Sequence, residues 1–275
     1  MTSHSPSTAS NPGPRHGTPF FVSLATIVVG TCVLAGAVVS AGVSAAATLR
    51  DNGPAYAASE TSTTGLTALD VDVAGGSLTI AYGDVSEAQL DIDGGGTGDW
   101  TFERDGTTLR VSSPRTNVVG WSNPAGSATL LLPRLSTTTN LDARIEVAGG
   151  ALRLDADFTS LSVQLAGGDV DLAGDVRTLS VSVSGGAVSG TLTGVGDATL
   201  EVAGGSLATT FKGDAPARTK VTVTAGSADI TLPDDEYNVT TDSGLGRVDN
   251  GLRTSNSATA VVDVEATLGQ VSLRS

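Results

Sequence analysis

The sequence predicts an all-β repeat domain, a parallel β-helix-like solenoid carried behind a single N-terminal transmembrane helix. Three observations predict it. A double glycine recurs at a nearly fixed step, apolar residues alternate on both sides of it, and one long uncharged stretch precedes everything else.

The first 18 residues, "MTSHSPSTASNPGPRHGT", are Ser/Thr/Pro/Gly/Asn-rich with no apolar period and are expected to form a disordered tail. Residues 19–48 follow, and no charge occurs between Gly17 and Leu49. About 20 apolar residues cross a bilayer as a helix, so this segment is long enough to span with tilt. Arg15 and His16 lie before it, while Asp51 and Glu60 lie after it. The positive-inside rule then leaves the N-terminus in the cytoplasm and the C-terminal domain outside, giving a single-pass protein of the cell membrane. The competing reading is a signal peptide cut after Ala55–Ala57 or within Ser44–Ala47. Signal h-regions of ~7–15 residues are much shorter than this run, which favours a retained anchor. Cys32, the one cysteine, lies inside the apolar run and rules out a disulfide framework. Residues 49–65 read as a linker.

The repeat domain is expected over 66–275. Gly75-Gly76, Gly149-Gly150, Gly167-Gly168, Gly185-Gly186 and Gly204-Gly205 share the phrase "[AS]-G-G", and from Gly150 the steps are 18, 18 and 19 residues. Blurred copies surround Gly226, Gly246 and Gly269. Two and four residues before each pair stand Val73/Val71, Val147/Ile145, Leu165/Val163, Val183/Val181 and Val202/Leu200. Two residues after each pair stand Leu78, Leu152, Val170, Val188 and Leu207. Alternation puts all of these on one face and the polar residues on the other.

The glycines fit two structures. A hairpin turn would set Val73 opposite Leu78 and lead to an antiparallel sandwich. A corner in a coil would instead stack Val147, Leu165, Val183 and Val202 into a ladder. A one-sided meander needs a covering layer, and no helical period follows residue 50 to supply one. A fixed period of similar units therefore favours the solenoid. Residues 94–140 interrupt the register: "DWTFERDGTTLRV" reads as a hairpin turning at Asp105-Gly106, and Ala128 to Leu132 as an apolar strand.

With "VAGGSL", "VAGGAL", "LAGGDV" and the closing "LGQVSL", the stretch from Leu66 to Ser275 resembles the putative-adhesin β-repeat domains of bacterial envelope proteins, also called toastrack domains. That resemblance implies a right-handed β-helix-like domain outside the membrane. It also implies envelope partners, some relatives accompanying stress-sensing membrane proteins.

Composition narrows the chemistry. The net charge of −14 divides into +2 for residues 1–50 and −16 for residues 51–275, which hold 29 acids against 13 bases. So acidic a surface disfavours nucleic acid and unassisted docking on anionic lipid. Both histidines, His4 and His16, precede the apolar run, so no His or Cys follows residue 50. Nucleophilic triads and zinc sites lose their usual base and ligands. No cofactor or metal is expected. Glycine-rich phosphate loops need a following helix, which the pattern does not offer. "LAGGDVDLAGD" offers Asp169, Asp171 and Asp175 without the tandem counterparts of calcium-binding repeats. Asp155 with Asp157, and Asp234 to Glu236, are the dense carboxylates a glycoside hydrolase would need, yet both sets abut turns that favour Asp on local grounds. Trp121 and Tyr237 are the candidate ligand-binding residues, since exposed aromatic rings make platforms for sugars or proteins. Trp100 is expected in the core or at an end of the stack.

Three functions follow as expectations. The first is a non-catalytic, adhesin-like or scaffolding protein whose partner is an envelope protein, another membrane protein or a glycan. The second is an accessory role in envelope-stress sensing. The third is a polysaccharide-active enzyme.

Overall fold

The computed structural model describes residues 59–93, 100–114, 126–134 and 141–275. The anticipated tail and membrane helix lie outside them, and among the described residues no helix is long and apolar enough to cross a membrane.

Each double glycine joins two strands that belong to different sheets. β1 (Ser59–Thr61) precedes the first coil, in which β2 (Ala68–Val73) leads through Gly75-Gly76 into β3 (Ser77–Gly83). An elaboration follows, comprising β4 (Ala88–Asp93), β5 (Thr101–Asp105), β6 (Thr108–Ser112) and β7 (Ser127–Pro133). The regular coils then begin with β8 (Asp142–Val147), β9 (Ala151–Asp155), β10 (Phe158–Leu165) and the long β11 (Asp169–Val183). β11 serves both sheets, bending at Gly174, whose φ is 135°. After it come β12 (Ala187–Thr193), β13 (Asp197–Val202), β14 (Ser206–Lys212), β15 (Arg218–Val223) and β16 (Ser227–Thr231). The last elements are β17 (Glu236–Ser243), β18 (Arg247–Asn250), β19 (Arg253–Thr254), β20 (Ala260–Ala266) and β21 (Gln270–Arg274).

The strands before the glycines pair in parallel with one another, and so do the strands after them. Val73 lies beside Val147, not opposite Leu78, and Leu78 lies beside Leu152. The glycines are corners, and the domain is a parallel β-solenoid. One inner ladder runs through Val73, Val147, Leu165, Val183, Val202 and Val223. Its counterpart on the second face runs through Leu78, Leu152, Val170, Val188, Leu207 and Ala228. Every side chain in both ladders is almost fully buried, which is how thin coils with few aromatics still close a core.

The corner geometry explains the residue choice. Gly150, Gly168, Gly186, Gly205 and Gly226 all have φ between 80° and 100°. A Cβ on Gly168 would fall 2.1 Å from the Gly150 carbonyl oxygen, and one on Gly186 would fall 2.2 Å from that of Gly168. Both the backbone angle and the neighbouring coil therefore demand glycine.

Two features are not part of the sequence reading. β1 lies within the stretch expected to be linker and pairs antiparallel with β4, so the folded domain reaches upstream of Leu66. The coils are also not stacked in chain order. β2 sits between β6 and β8, and β3 between β7 and β9. At the other end β20 sits between β15 and β17, and β21 between β16 and β18. Each end of the stack is thus a coil from inside the sequence, with its neighbour in sequence tucked beneath it. The hairpin of β5 and β6 turns at Gly106 with φ 61°, and β7 joins the second sheet beside β3.

Most inner positions are aliphatic, but Thr219 is fully buried between Ala198 and Val262, and its hydroxyl makes no hydrogen bond among the described residues. Valine has the same branched shape without the polar atom. Thr219→Val is expected to raise stability by about 1 kcal/mol, because an unmade buried hydrogen bond is costly. Urea unfolding with an unchanged slope checks this, and a lower midpoint would refute it.

Candidate binding surface

Because the coils are in register, outward residues form rows along the stack. On the first face one row runs Asp72, Glu146, Gln164, Ser182, Glu201, Thr222, Glu265, Asp242. On the second face a row runs Thr79, Arg153, Asp171, Ser189, Ala208, Asp229, Ser272, Asp249. Parallel strands lie about 4.8 Å apart, so the rows present side chains at that repeat, polar except at Ala208 and accessible except at Ser272. Arg153 pairs with Asp171 at 3.5 Å, Arg274 with Asp229 at 3.0 Å, and Arg144 with Glu146 at 2.7 Å. The Glu146 carboxylate, by its hydrogen bond, raises the Arg144 pKa further. These pairs are exposed and contribute little to stability.

Two of the aspartates considered for catalysis or calcium, Asp157 and Asp175, are occupied in joining coils. The Asp157 Oδ1 accepts the Asp175 N–H at 2.8 Å, and the Asp175 Oδ2 accepts the Thr193 hydroxyl at 3.1 Å. The Asp157 N–H in turn donates to the Tyr82 hydroxyl at 3.2 Å. This chain of hydrogen bonds climbs four successive coils along one edge, the local use of Asp that turns favour. Asp155, Asp169 and Asp171 point outward from the second face, exposed. Among the described residues no group of three or more His, Cys, Asp or Glu is arranged to hold a metal ion.

Asp234 to Glu236 border a cleft of about 630 Å³ shared with Asp214, Pro233 and Ala260. It opens where the chain leaves β16, passes over the place of one coil, and starts β17. Arg253 pairs with Asp234 there at 3.1 Å.

Tyr237 is placed otherwise than expected. Its ring is fully buried and its hydroxyl donates to the Pro233 carbonyl at 2.7 Å, so it is a core residue and offers no exposed platform. It shares the inner row of Val239, beside Ala260. Burial, reinforced by Asp235 and Asp234, pushes its hydroxyl pKa up from 10.0 to about 12. With the folded value raised, stability is fully present below pH 10.0 and is lost as pH climbs towards about 12. Tyr237→Phe is expected to flatten that alkaline loss and to cost about 1 kcal/mol at neutral pH for the lost hydrogen bond. Melting midpoints across this range test both parts. Trp100 is buried, and Trp121 lies outside the described residues.

The stacked outward faces of the central coils were legible from the 18- and 19-residue step, but the continuation of the rows to Asp72, Asp242, Thr79 and Asp249 needed the observed strand order.

No family model and no curated protein matches the chain. Several solved structures are similar to it. One is named "putative adhesin", from Bacteroides fragilis, with 14% identity, 80% of this chain and 98% of that one covered, and a TM-score of 0.46. Another of that name, from Parabacteroides merdae, has 14% identity, 82% and 98% coverage, and a TM-score of 0.40. A third, "putative cell adhesion protein" from Clostridium sporogenes, has 14% identity, 81% and 99% coverage, and a TM-score of 0.34. Likeness at this level carries no activity across.

Proposed function

We propose that this chain is a membrane-anchored scaffold that displays its polar rows outside the cell membrane and binds an envelope protein or glycan without catalysis. The observation that carries the reading is the pair of registered outward rows, from Asp72 to Asp242 and from Thr79 to Asp249. A flat, repetitive surface suits an extended, repetitive partner. Two of the carboxylates weighed for hydrolysis support it further, since Asp157 accepts the Asp175 N–H and Asp234 pairs with Arg253. The names of the similar structures agree with an adhesin-like role.

The test is a pull-down from membranes with the anchored full chain, alongside Gln164→Lys/Ser182→Lys/Glu201→Lys. The triple variant is expected to melt within about 1–2 kcal/mol of the wild type, since surface changes cost about 0.5 kcal/mol or less each, while losing the captured component. Protease added to intact protoplasts should remove the domain and spare an N-terminal tag. Turnover of a cell-wall glycan, or capture unaffected by the triple variant, would refute the reading.

A further inference from the structure

The two ends of the solenoid are finished differently. At the β1/β5 end, β1 has only three residues, and β5 ends in Glu103-Arg104-Asp105. Arg104 is tied down there by the Ser62 and Thr64 carbonyls, both at 2.8 Å. With Arg104 turned back onto its own end, the remaining charges of β5, Glu103 and Asp105, are both acidic and would repel a second copy of the same edge. At the β17/β18 end, β19 covers Glu236 and Tyr237 on the first sheet. On the second sheet, β18 pairs only with β21 among the described residues.

The free edge of β18 has defined chemistry. Arg247 and Gly251 donate their N–H groups to Gly269 and Leu273 of the inner neighbour, both at 2.9 Å. By strand alternation the N–H and C=O of Val248 and Asn250 point outward. Arg247 and Asp249 are exposed on either side of half-buried Val248, and neither makes an ion pair among the described residues.

We propose that this edge pairs antiparallel with the same edge of a second copy of the chain, with Val248 on the two-fold axis. In that register Val248 exchanges both backbone hydrogen bonds with its own copy. Arg247 then stands opposite the partner's Asp249, and Asp249 opposite the partner's Arg247. The neighbouring registers that keep the backbone bonds would set Arg247 against Arg247 or Asp249 against Asp249, so charge selects the central one. Val248 also extends the inner ladder of Val271 and Ala228 across the axis. Leu245, 87% exposed, falls in line with the partner's Gly251, a position with no side chain to obstruct it. A two-fold pairing of this kind closes at two chains and forms no filament.

The test is the mass of the full-length chain in detergent, by sedimentation or light scattering through the micromolar range. The wild type is expected at two chains. Arg247→Asp and Asp249→Arg should each fall to one chain, with a dissociation constant raised at least about tenfold, because each sets like charges opposite one another. The double variant R247D/D249R restores opposite charges and should return to two chains. At dilutions where the wild type is also single chains, all three should melt at its midpoint, as both side chains are exposed. A wild type at one chain throughout would overturn the proposal. So would a two-chain mass that Arg247→Asp leaves unchanged, or a double variant no tighter than the singles.

Discussion

Gly168→Ala is expected to unfold the central coils. The residue holds φ at 98°, and an added Cβ would lie 2.1 Å from the Gly150 oxygen and 2.9 Å from its nitrogen. That oxygen already accepts the Asp169 N–H at 3.0 Å. No flexible side chain is available to yield, so the methyl can be admitted only by parting two coils, and their parallel pairing is lost with it. The cost should exceed about 4 kcal/mol, a value reached only by severe steric or polar faults, within a total of about 5–15 kcal/mol for a domain. Gly106→Ala supplies the control. Gly106 also has positive φ, at 61°, yet an added Cβ meets nothing within 4 Å, so only about 1 kcal/mol of backbone strain is expected. Ser182→Ala, on the outer row, should change stability by about 0.5 kcal/mol or less. Thermal melts of the three variants decide the matter, and equal midpoints for Gly168→Ala and Gly106→Ala would sink it.

Deleting residues 256–275 should be as damaging, for a topological reason. β20 and β21 bury Ala260, Val262, Val264, Ala266, Val271 and Leu273. At about 1–2 kcal/mol for each aliphatic side chain this is on the order of 10 kcal/mol of burial, comparable with the net stability of a domain. The same deletion strands β18, whose strand neighbour is β21, and leaves β17 with only the two-residue contact to β19. Limited proteolysis should then cut throughout residues 232–255, whereas a stack wound in chain order would merely be one coil shorter. A truncated protein that keeps β17 and β18 protected would contradict the observed order.

The central coils were legible from sequence because one step of 18 or 19 residues fixes both strand and neighbour. The order at the ends was not. "LGQVSL" identified a coil around Gly269, but every coil offers the next a similar apolar interior, so likeness between copies says nothing about position. A subtler signal was present. Inner positions that hold Val223 and Ala266 elsewhere become Ser243 in β17, and Leu273 becomes Asn250 in β18. Polar residues at inward positions mark the terminal coil of the chain's own stack. In sequence Tyr237 reads as a platform for its aromatic ring, although its spacing from Val239 sets it inward.

The tucked coils also bear on how the domain would respond to force. In a solenoid wound in chain order, a pull at one end peels strands singly, each losing its one remaining neighbour before the next is loaded. Here Arg274 belongs to a strand held along both edges, by β16 and by β18. At the opposite end β2 is held by β6 and by β8. Load entering at either strand must shear two ladders at once and cannot open one like a zipper. β1, the described strand nearest the N-terminus, is held only by β4 among the described residues and would yield first, and unravelling from that side would stop at β2.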